Sequence, residues 1–176
     1  SVLVQLARQL TGLELVATAS RPESEAWLRQ LGVEHVINHH RPLAEQLEGL
    51  GLPAPRWAIS LTHSGDYFAQ LVELLAPQGA LALIDDPPPE AINVMALKRK
   101  SLSLHLELMF TRSLYGTADQ AQQGALLAEL AQLVDAGRIR PTLTQELKPI
   151  AAAQLQQAHR LIETGSSIGK LVVSQW

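Results

Sequence analysis

Few residues of this 176-residue chain stand in an arrangement that could carry out chemistry unaided. The chain has no cysteine, and neither G-x-S-x-G, which presents a nucleophilic serine, nor the zinc-binding H-E-x-x-H occurs. His35 and His39 are spaced to share a strand face, but zinc sites take about three or more protein ligands and no third one lies near them. We therefore expect no metal site and no self-contained nucleophile in this chain.

Polar side chains instead stand at the ends of runs that have the composition of buried strands. Ser20 and Arg21 follow such a run, His63 ends RWAISLTH, and Asp85 lies near the end of GALALIDD. Ligands of open parallel sheets bind at the carboxyl ends of the strands. These side chains are therefore candidates for one ligand cleft, although Asp85 and Asp86 before three prolines are also an ordinary turn signal.

The elements that would position these residues alternate between strand and helix. Apolar residues at helical spacing predict a helix over 1–10 with Ser1 at its N-cap, and another helix over 65–79 that Ser64 caps. In chain order the other elements are strand 13–20, helix 22–32, strand 34–39, helix 42–51, strands 56–63 and 79–86, helix 92–100, strand 101–110, helix 117–139, strand 141–147, helix 151–165 and strand 167–175. Strands separated by helices of about ten residues indicate βαβ units and a parallel sheet.

The opening helix lacks the strand that precedes it in a doubly wound sheet. There the first strand is central and leads into a Gly-rich turn, which holds a pyrophosphate at the N-terminus of the first helix. We therefore predict an α/β fold, a Rossmann-like doubly wound and mostly parallel sheet that lacks the first strand and the Gly-rich turn; the alternative is a fold that begins with a helix. A missing central strand leaves two open edges, closed by the chain's own strands or by association.

The composition excludes several classes of function. The chain is 47% hydrophobic and 18% charged with a net charge of −3, which is typical of a globular protein and gives no basic surface for nucleic acid or membrane lipid. The one basic run, 97–101, has the character of a solvated loop. No apolar run approaches the roughly 20 residues that cross a bilayer. We expect a soluble, cytoplasmic protein without nucleic-acid or membrane partners.

Six stretches resemble one family over nearly the whole chain. They are SVLVQLAR, LGVEHVINHH, LLAPQGALALID, LHLELMFTRSLYG, LVDAGRIRPTLT and AHRLIETGSSIGKLVV. The sequence is similar to the C-terminal part of the medium-chain dehydrogenases/reductases, in the branch of quinone oxidoreductases and zinc-type alcohol dehydrogenase-like proteins. The resemblance implies a nucleotide-binding domain over 1–136 and, over 137–176, the end of a catalytic domain packed on it, with the rest of that domain upstream of Ser1.

The end of the second strand of such a domain distinguishes the two nicotinamide cofactors. NAD-binding domains place an Asp or Glu there for the ribose 2′-hydroxyl. Here Ser20 offers a hydrogen bond and Arg21 a charged fork, which suits the 2′-phosphate of NADP(H). An Arg21 side chain that merely projects into water is the alternative. A methyltransferase-like domain is disfavoured because it also calls for an acid at this position.

The resemblance assigns the other candidates to parts of the cofactor. Ser1 would stand at the pyrophosphate, and His39 would stack on adenine or donate to the 2′-phosphate, unless it is an exposed loop residue. Thr62 and His63 would lie under the adenosine half. A last group would lie near the nicotinamide and its ribose: Ile84, Asp85, Met109 and Phe110. Met109 and Phe110 have a role in the core as their alternative, and the role of Lys170 stays open.

The resemblance implies hydride transfer as the chemistry, with its catalytic residues upstream of Ser1. The predicted function is that of a fragment of an NADP(H)-dependent oxidoreductase acting on a quinone, an enal or an alcohol/carbonyl substrate, independent of zinc. A non-catalytic nucleotide-binding or interaction domain is the alternative. Strand 101–110, with Leu102, Leu104, Leu106 and Leu108 on one face, is an edge through which a homodimer could form.

Overall fold

Helices and strands alternate through the whole of the computed structural model, which describes all 176 residues. The elements are α1 (Val2–Leu10), β1 (Val16–Thr18), α2 (Pro22–Gln30), β2 (His35–Ile37), α3 (Leu43–Gly49), β3 (Trp57–Ser60), α4 (Ser64–Leu74), β4 (Ala80–Leu83), β5 (Ser103–Leu106), α5 (Thr111–Tyr115), α6 (Gln122–Asp135), β6 (Leu143–Leu147), α7 (Ala152–Glu163) and β7 (Lys170–Val173). Two 3₁₀ helices, Pro89–Ala91 and Val94–Lys100, separate β4 from β5. The predicted alternation is confirmed, with shorter strands than expected.

Every pair of strands is parallel, and the strands form three sheets. β1 pairs with β2, β3–β4–β5 form a second sheet in that order, and β6 pairs with β7. The doubly wound order is 3-2-1-4-5-6, so β1 and β2 take the second and third positions and β3 to β5 take the fourth to sixth. The predicted fold class is confirmed.

The chain forms two compact units. Residues Ser1–Asn38 and Gly124–Trp176 make up what we call the terminal unit, and His39–Gln123 make up the central unit. The predicted domains, 1–136 and 137–176, stay a prediction. No helix is long and apolar enough to cross a membrane.

The core of the central unit lies between α4 and the β3–β4–β5 sheet. Phe68, Val72 and Leu75 face Leu81 and Leu83 of β4, and all five side chains are buried. The apolar face of α4 predicted from the sequence is thus the face that packs. The last turn of α4 is held from outside the helix, because the Lys100 ammonium donates to the carbonyl oxygens of Val72 at 3.3 Å, of Leu75 at 2.8 Å, and of Glu73.

The terminal unit is held together by contacts between residues far apart in sequence. The buried Gln5 amide donates to the Arg140 carbonyl at 3.1 Å and accepts from the Arg140 N–H at 2.8 Å. Trp27 Nε1 donates to the Ser1 hydroxyl at 2.8 Å. Ser1 is the residue before α1, as predicted, but its side chain makes no capping hydrogen bond because it accepts from Trp27 instead.

Three predicted element boundaries are wrong. Ser64 is the first residue of α4 rather than its cap, and the residue before the helix is His63. Strand 101–110 is only Ser103–Leu106, because the chain turns after it and begins α5 at Thr111. Helix 117–139 is restricted to α6, Gln122–Asp135.

Candidate functional site

The carboxyl ends of β3 and β4 carry most of the predicted site residues of the central unit. These two strands are parallel neighbours with Ser60 opposite Leu83, so the residues that follow each strand leave the sheet at the same edge. Thr62 and His63 follow β3, and Ile84 and Asp85 follow β4. Thr62, His63 and Ile84 are exposed at that edge, and Asp85 is half-buried. The expected convergence of two strand ends is therefore present in this unit.

Asp85 and Ser64 form a clamp between the two strand ends. The Ser64 N–H donates to Asp85 Oδ2 at 2.9 Å, and the Ser64 hydroxyl donates to Asp85 Oδ1. Ser64 is fully buried, and its hydroxyl is also hydrogen-bonded to Ser60 Oγ at 2.7 Å. The hydrogen bonds from the Ser64 side chain and backbone lower the pKa of Asp85, which keeps the carboxylate ionised. Asp85 thus supplies the cap for α4 that Ser64 was expected to supply.

His63 has a backbone conformation that side-chain-bearing residues seldom adopt. Its φ is 56° and its ψ is 31°, in the left-handed region, and it comes immediately before the clamped Ser64. Its carbonyl accepts from the Asp66 N–H at 3.0 Å, in the first turn of α4. Left-handed backbone outside glycine costs about 1–2 kcal/mol and is kept only where surrounding contacts enforce it. The Ser64 N–H that follows His63 directly is the one that Asp85 Oδ2 accepts.

His39 belongs to a cluster of rings in the central unit. Its ring centroid lies 4.6 Å from that of His40 and 5.9 Å from that of Tyr67, both in edge-to-face arrangements. Burial, with the nearby His40 and His63, lowers the pKa of His39, so its imidazole is neutral at neutral pH. A neutral ring among aromatic neighbours can stack on a planar base. Sequence reasoning missed Tyr67, since nothing in the local pattern predicts that this half-buried tyrosine of α4 lies beside a loop residue.

The pairing of His35 with His39 on one strand is wrong. β2 ends at Ile37, so His39 lies beyond the strand. His35 Nε2 instead lies 3.3 Å from Glu14 Oε1, within the terminal unit. The two histidines therefore share no strand face.

Met109 and Phe110 are surface residues in this chain. They follow β5 in the turn that leads into α5, and their exposed fractions are 65% and 59%. A role in the core is excluded by this exposure. Their contact with a nicotinamide stays a prediction.

Arg21 stands at the point where β1 leads into α2. It is the residue before the helix, its Pro22 neighbour is the first helical residue, and its Nη1 donates to the Ser166 carbonyl at 2.8 Å. A guanidinium has five N–H donors, so this bond leaves others for a ligand. Ser20 beside it is half-buried. The side chain therefore does not simply project into water, because the loop after α7 fixes one side of its fork.

No set of side chains in the chain fits a zinc site. There is no cysteine, and no group of three or more His, Asp or Glu side chains could hold a metal ion. Zinc bound through Cys or His needs such a set. We therefore derive no step through zinc from these residues.

The parallel sheets and the residues that end their strands define the class of Rossmann-like nucleotide-binding domains. The model of the family described as zinc-binding dehydrogenase matches residues 31–173. A zinc-type alcohol dehydrogenase-like protein of Staphylococcus aureus (strain MSSA476) is 32% identical over 174 residues, which are 99% of this chain and 51% of that protein. The chain belongs to the zinc-binding dehydrogenase family, in the medium-chain dehydrogenase/reductase superfamily.

Solved structures of this superfamily have the same fold. A protein assigned to the zinc-dependent alcohol dehydrogenases, from Rhizobium etli CFN 42, is 49% identical with a TM-score of 0.90, covering 99% of this chain and 51% of that one. The quinone oxidoreductase of Coxiella burnetii is 25% identical with a TM-score of 0.69, covering 97% of this chain and 47% of that one. The chain thus spans about half the length of the relatives it matches.

Proposed function

We propose that this chain is the cofactor-binding part of an NADP(H)-dependent reductase. The observation that carries the proposal is the end of β1, where Ser20 and Arg21 take the place at which an NAD-binding domain has an acid. The Arg21 guanidinium would bind the 2′-phosphate through a charge-assisted hydrogen bond, oriented by its existing bond to the Ser166 carbonyl. Ser20 would donate a second hydrogen bond to the same group.

The central unit, taken by itself, carries residues suited to the other parts of a dinucleotide. His39, neutral and edge-on to Tyr67, is suited to stack on the adenine, and Thr62 and His63 lie exposed at the end of β3 for the adenosine half. Ile84, Asp85, Met109 and Phe110 would lie toward the nicotinamide, and Ser1 at the start of α1 toward the pyrophosphate. The bound nicotinamide supplies the hydride, and the residues of this chain bind and orient it.

The substrate of the complete enzyme would be a quinone, an enal or another carbonyl compound. The resemblance to the quinone oxidoreductase of Coxiella burnetii supports this class. Residues that contact the substrate would lie in the half of the relatives that this chain does not span. A non-catalytic nucleotide-binding domain is the competing proposal, and NADPH-dependent turnover of a quinone by the complete gene product separates the two.

The cofactor proposal is tested by titrating the complete gene product with NADPH and with NADH. We expect the Arg21→Gln variant to lose about tenfold or more in NADPH affinity, because a charged fork to the 2′-phosphate is removed, with a change of less than about twofold for NADH. Arg29→Gln is the matched control, since Arg29 lies in α2, the helix that Arg21 precedes, and pairs with Glu25 at 2.8 Å. Equal losses for both cofactors in Arg21→Gln would contradict the proposed preference.

A further inference from the structure

We infer that Asp85 is a positioning residue, which acts through the Ser64 clamp to hold His63 in the conformation that contacts the cofactor. This inference rests on the proposed function, because it concerns the same strand ends. Asp85 was expected to approach the nicotinamide ribose directly. Both of its carboxylate oxygens accept hydrogen bonds from Ser64, one from the backbone N–H and one from the hydroxyl.

The clamp joins two strand ends through one buried residue. Ser64 has no exposed surface, and its hydroxyl contacts Ser60 at the end of β3 as well as Asp85 beyond the end of β4. A half-exposed carboxylate that merely caps a helix would need only the backbone N–H. The additional bond to a buried hydroxyl fixes the Asp85 side chain relative to β3, and so it fixes where the chain between Ser60 and Ser64 can run.

That intervening chain is the short loop with Thr62 and His63. His63 comes directly before the clamped N–H, and its left-handed backbone conformation is neither that of a strand nor that of an α-helix. Without the clamp, the loop would relax to the commoner conformations of a residue with a side chain. A ligand would then have to select the left-handed form, and its apparent affinity would fall by the fraction of molecules that still adopt it.

The test combines a conformational measurement with a binding measurement on the complete gene product. The ¹³Cα and ¹³Cβ chemical shifts of His63 report its backbone conformation, and hydrogen exchange of the Ser64 amide reports the clamp. Asp85→Ala is expected to move the His63 shifts away from left-handed values, to expose the Ser64 amide to exchange, and to lower NADPH affinity about tenfold. Asp85→Asn, which retains one oxygen acceptor, is expected to restore most of the amide protection and of the affinity.

Two control variants separate positioning from charge and from stability. Asp86→Ala removes the same charge one residue further on, at an exposed position, and should leave the His63 shifts and the affinity within about twofold of wild type. Lys100→Ala removes the contacts at the opposite end of α4, so it should lower the melting temperature without a comparable loss of affinity.

The outcomes distinguish this inference from the proposed function. Unchanged His63 shifts and Ser64 exchange in Asp85→Ala would overturn the clamp, whatever the cofactor measurements give. An equal loss of affinity in Asp86→Ala would also overturn it, since charge alone would then suffice. A wild-type protein that binds neither NADPH nor NADH would overturn the proposed function and the cofactor role of His63, while the ligand-free measurements would still decide whether Asp85 holds the loop.

Discussion

His39 is the residue at which local structure most directly makes the protein sensitive to pH. Its pKa is lowered first by burial and then by His40 and His63, while Tyr67 contacts its ring edge. Because the folded-state pKa lies below the unfolded value, the unfolded chain binds the proton more readily. The contribution of His39 to the free energy of unfolding is therefore fully present above about pH 6.5. It is lost as the pH falls through the folded-state pKa of His39.

We expect the His39→Gln variant to have a shallower acid-side loss of stability than wild type. Urea unfolding at about pH 7.5 and about pH 5.5 measures the difference, because the linkage relation converts proton binding into free energy of unfolding. His105→Gln is the control, since His105 lies in the same unit on an exposed strand position. If His39→Gln and wild type lost the same free energy between the two pH values, the lowered pKa would have no part in stability.

The sequence predicted only those features of the candidate site that depend on the position of a residue along its own strand. The positions of Thr62, His63 and Asp85 follow from counting along strands, because parallel strands end at one edge of a sheet. The clamp could not be predicted, since Ser64 and Asp85 are separated by 21 residues in the sequence. Serine is also a preferred N-cap residue, so the sequence pointed to Ser64 itself as the cap of α4. The pairing of Gln5 with Arg140 spans 135 residues and left no local signal at all.

At the scale of elements, α4 is stabilised at both ends by residues outside it. Asp85 accepts from the first N–H, and Lys100 donates to carbonyl oxygens of the last turn. Both charges also match the helix dipole, with the anion at the N-terminus and the cation at the C-terminus. Since α4 covers the buried face of the sheet through Phe68 and Val72, fraying at either end would expose the core of the central unit.

We therefore expect Lys100→Ala to lower the free energy of unfolding by about 1–2 kcal/mol, because charge-assisted hydrogen bonds to helix carbonyls are lost. Denaturant unfolding measures this value. Lys98→Ala, two residues earlier on the exposed side of the same 3₁₀ helix, is expected to change it by less than about 0.5 kcal/mol. Equal effects of the two variants would show that net charge matters here and the contacts do not.

The helices and strands could be predicted well because the spacing of their apolar residues is strongly periodic. The prediction was wrong where apolar residues kept the same spacing beyond the end of an element. The alternating leucines of 101–110 indicated a strand with one buried face, yet β5 ends at Leu106, and Leu106 is 73% exposed. Leu102 and Leu104 do pack against the core of the central unit. The alternation of leucines with period two thus predicted the first part of the strand correctly. The later leucines are surface residues that nothing in this chain covers.

At the scale of the whole molecule, each sheet of the doubly wound part ends in strands with an unpaired edge. β1 and β2 each have one in their two-stranded sheet, and β3 and β5 each have one at the two sides of theirs. Ile59 of β3 is 50% exposed, and β5 is followed by the exposed Leu108, Met109 and Phe110. Unpaired edges with apolar side chains invite pairing with another chain. Association of this chain through such an edge stays a prediction.

We propose a homodimer formed through the free edge of β5. A two-fold axis beside this strand would pair it with its own copy in antiparallel fashion, and the same exposed segment would meet itself across the axis. β5 is favoured over β3 because Leu106, Leu108, Met109 and Phe110 follow one another along a single stretch. Neighbouring exposed apolar residues give a larger continuous surface for contact with a second copy than exposed apolar residues at every second position, as in β3.

Sedimentation of two variants, each with a single lysine on one of the two strand edges, tests the choice between β5 and β3. Leu106→Lys is expected to shift the complete gene product from dimer to monomer, because it places a charge at the end of β5, within the apolar segment that would meet its own copy. Ile59→Lys makes the same kind of change on β3 and should leave the dimer intact. Dissociation by Ile59→Lys but not by Leu106→Lys would instead place the contact between copies at the edge of β3. A wild-type protein that sediments as a monomer would reject both forms of association.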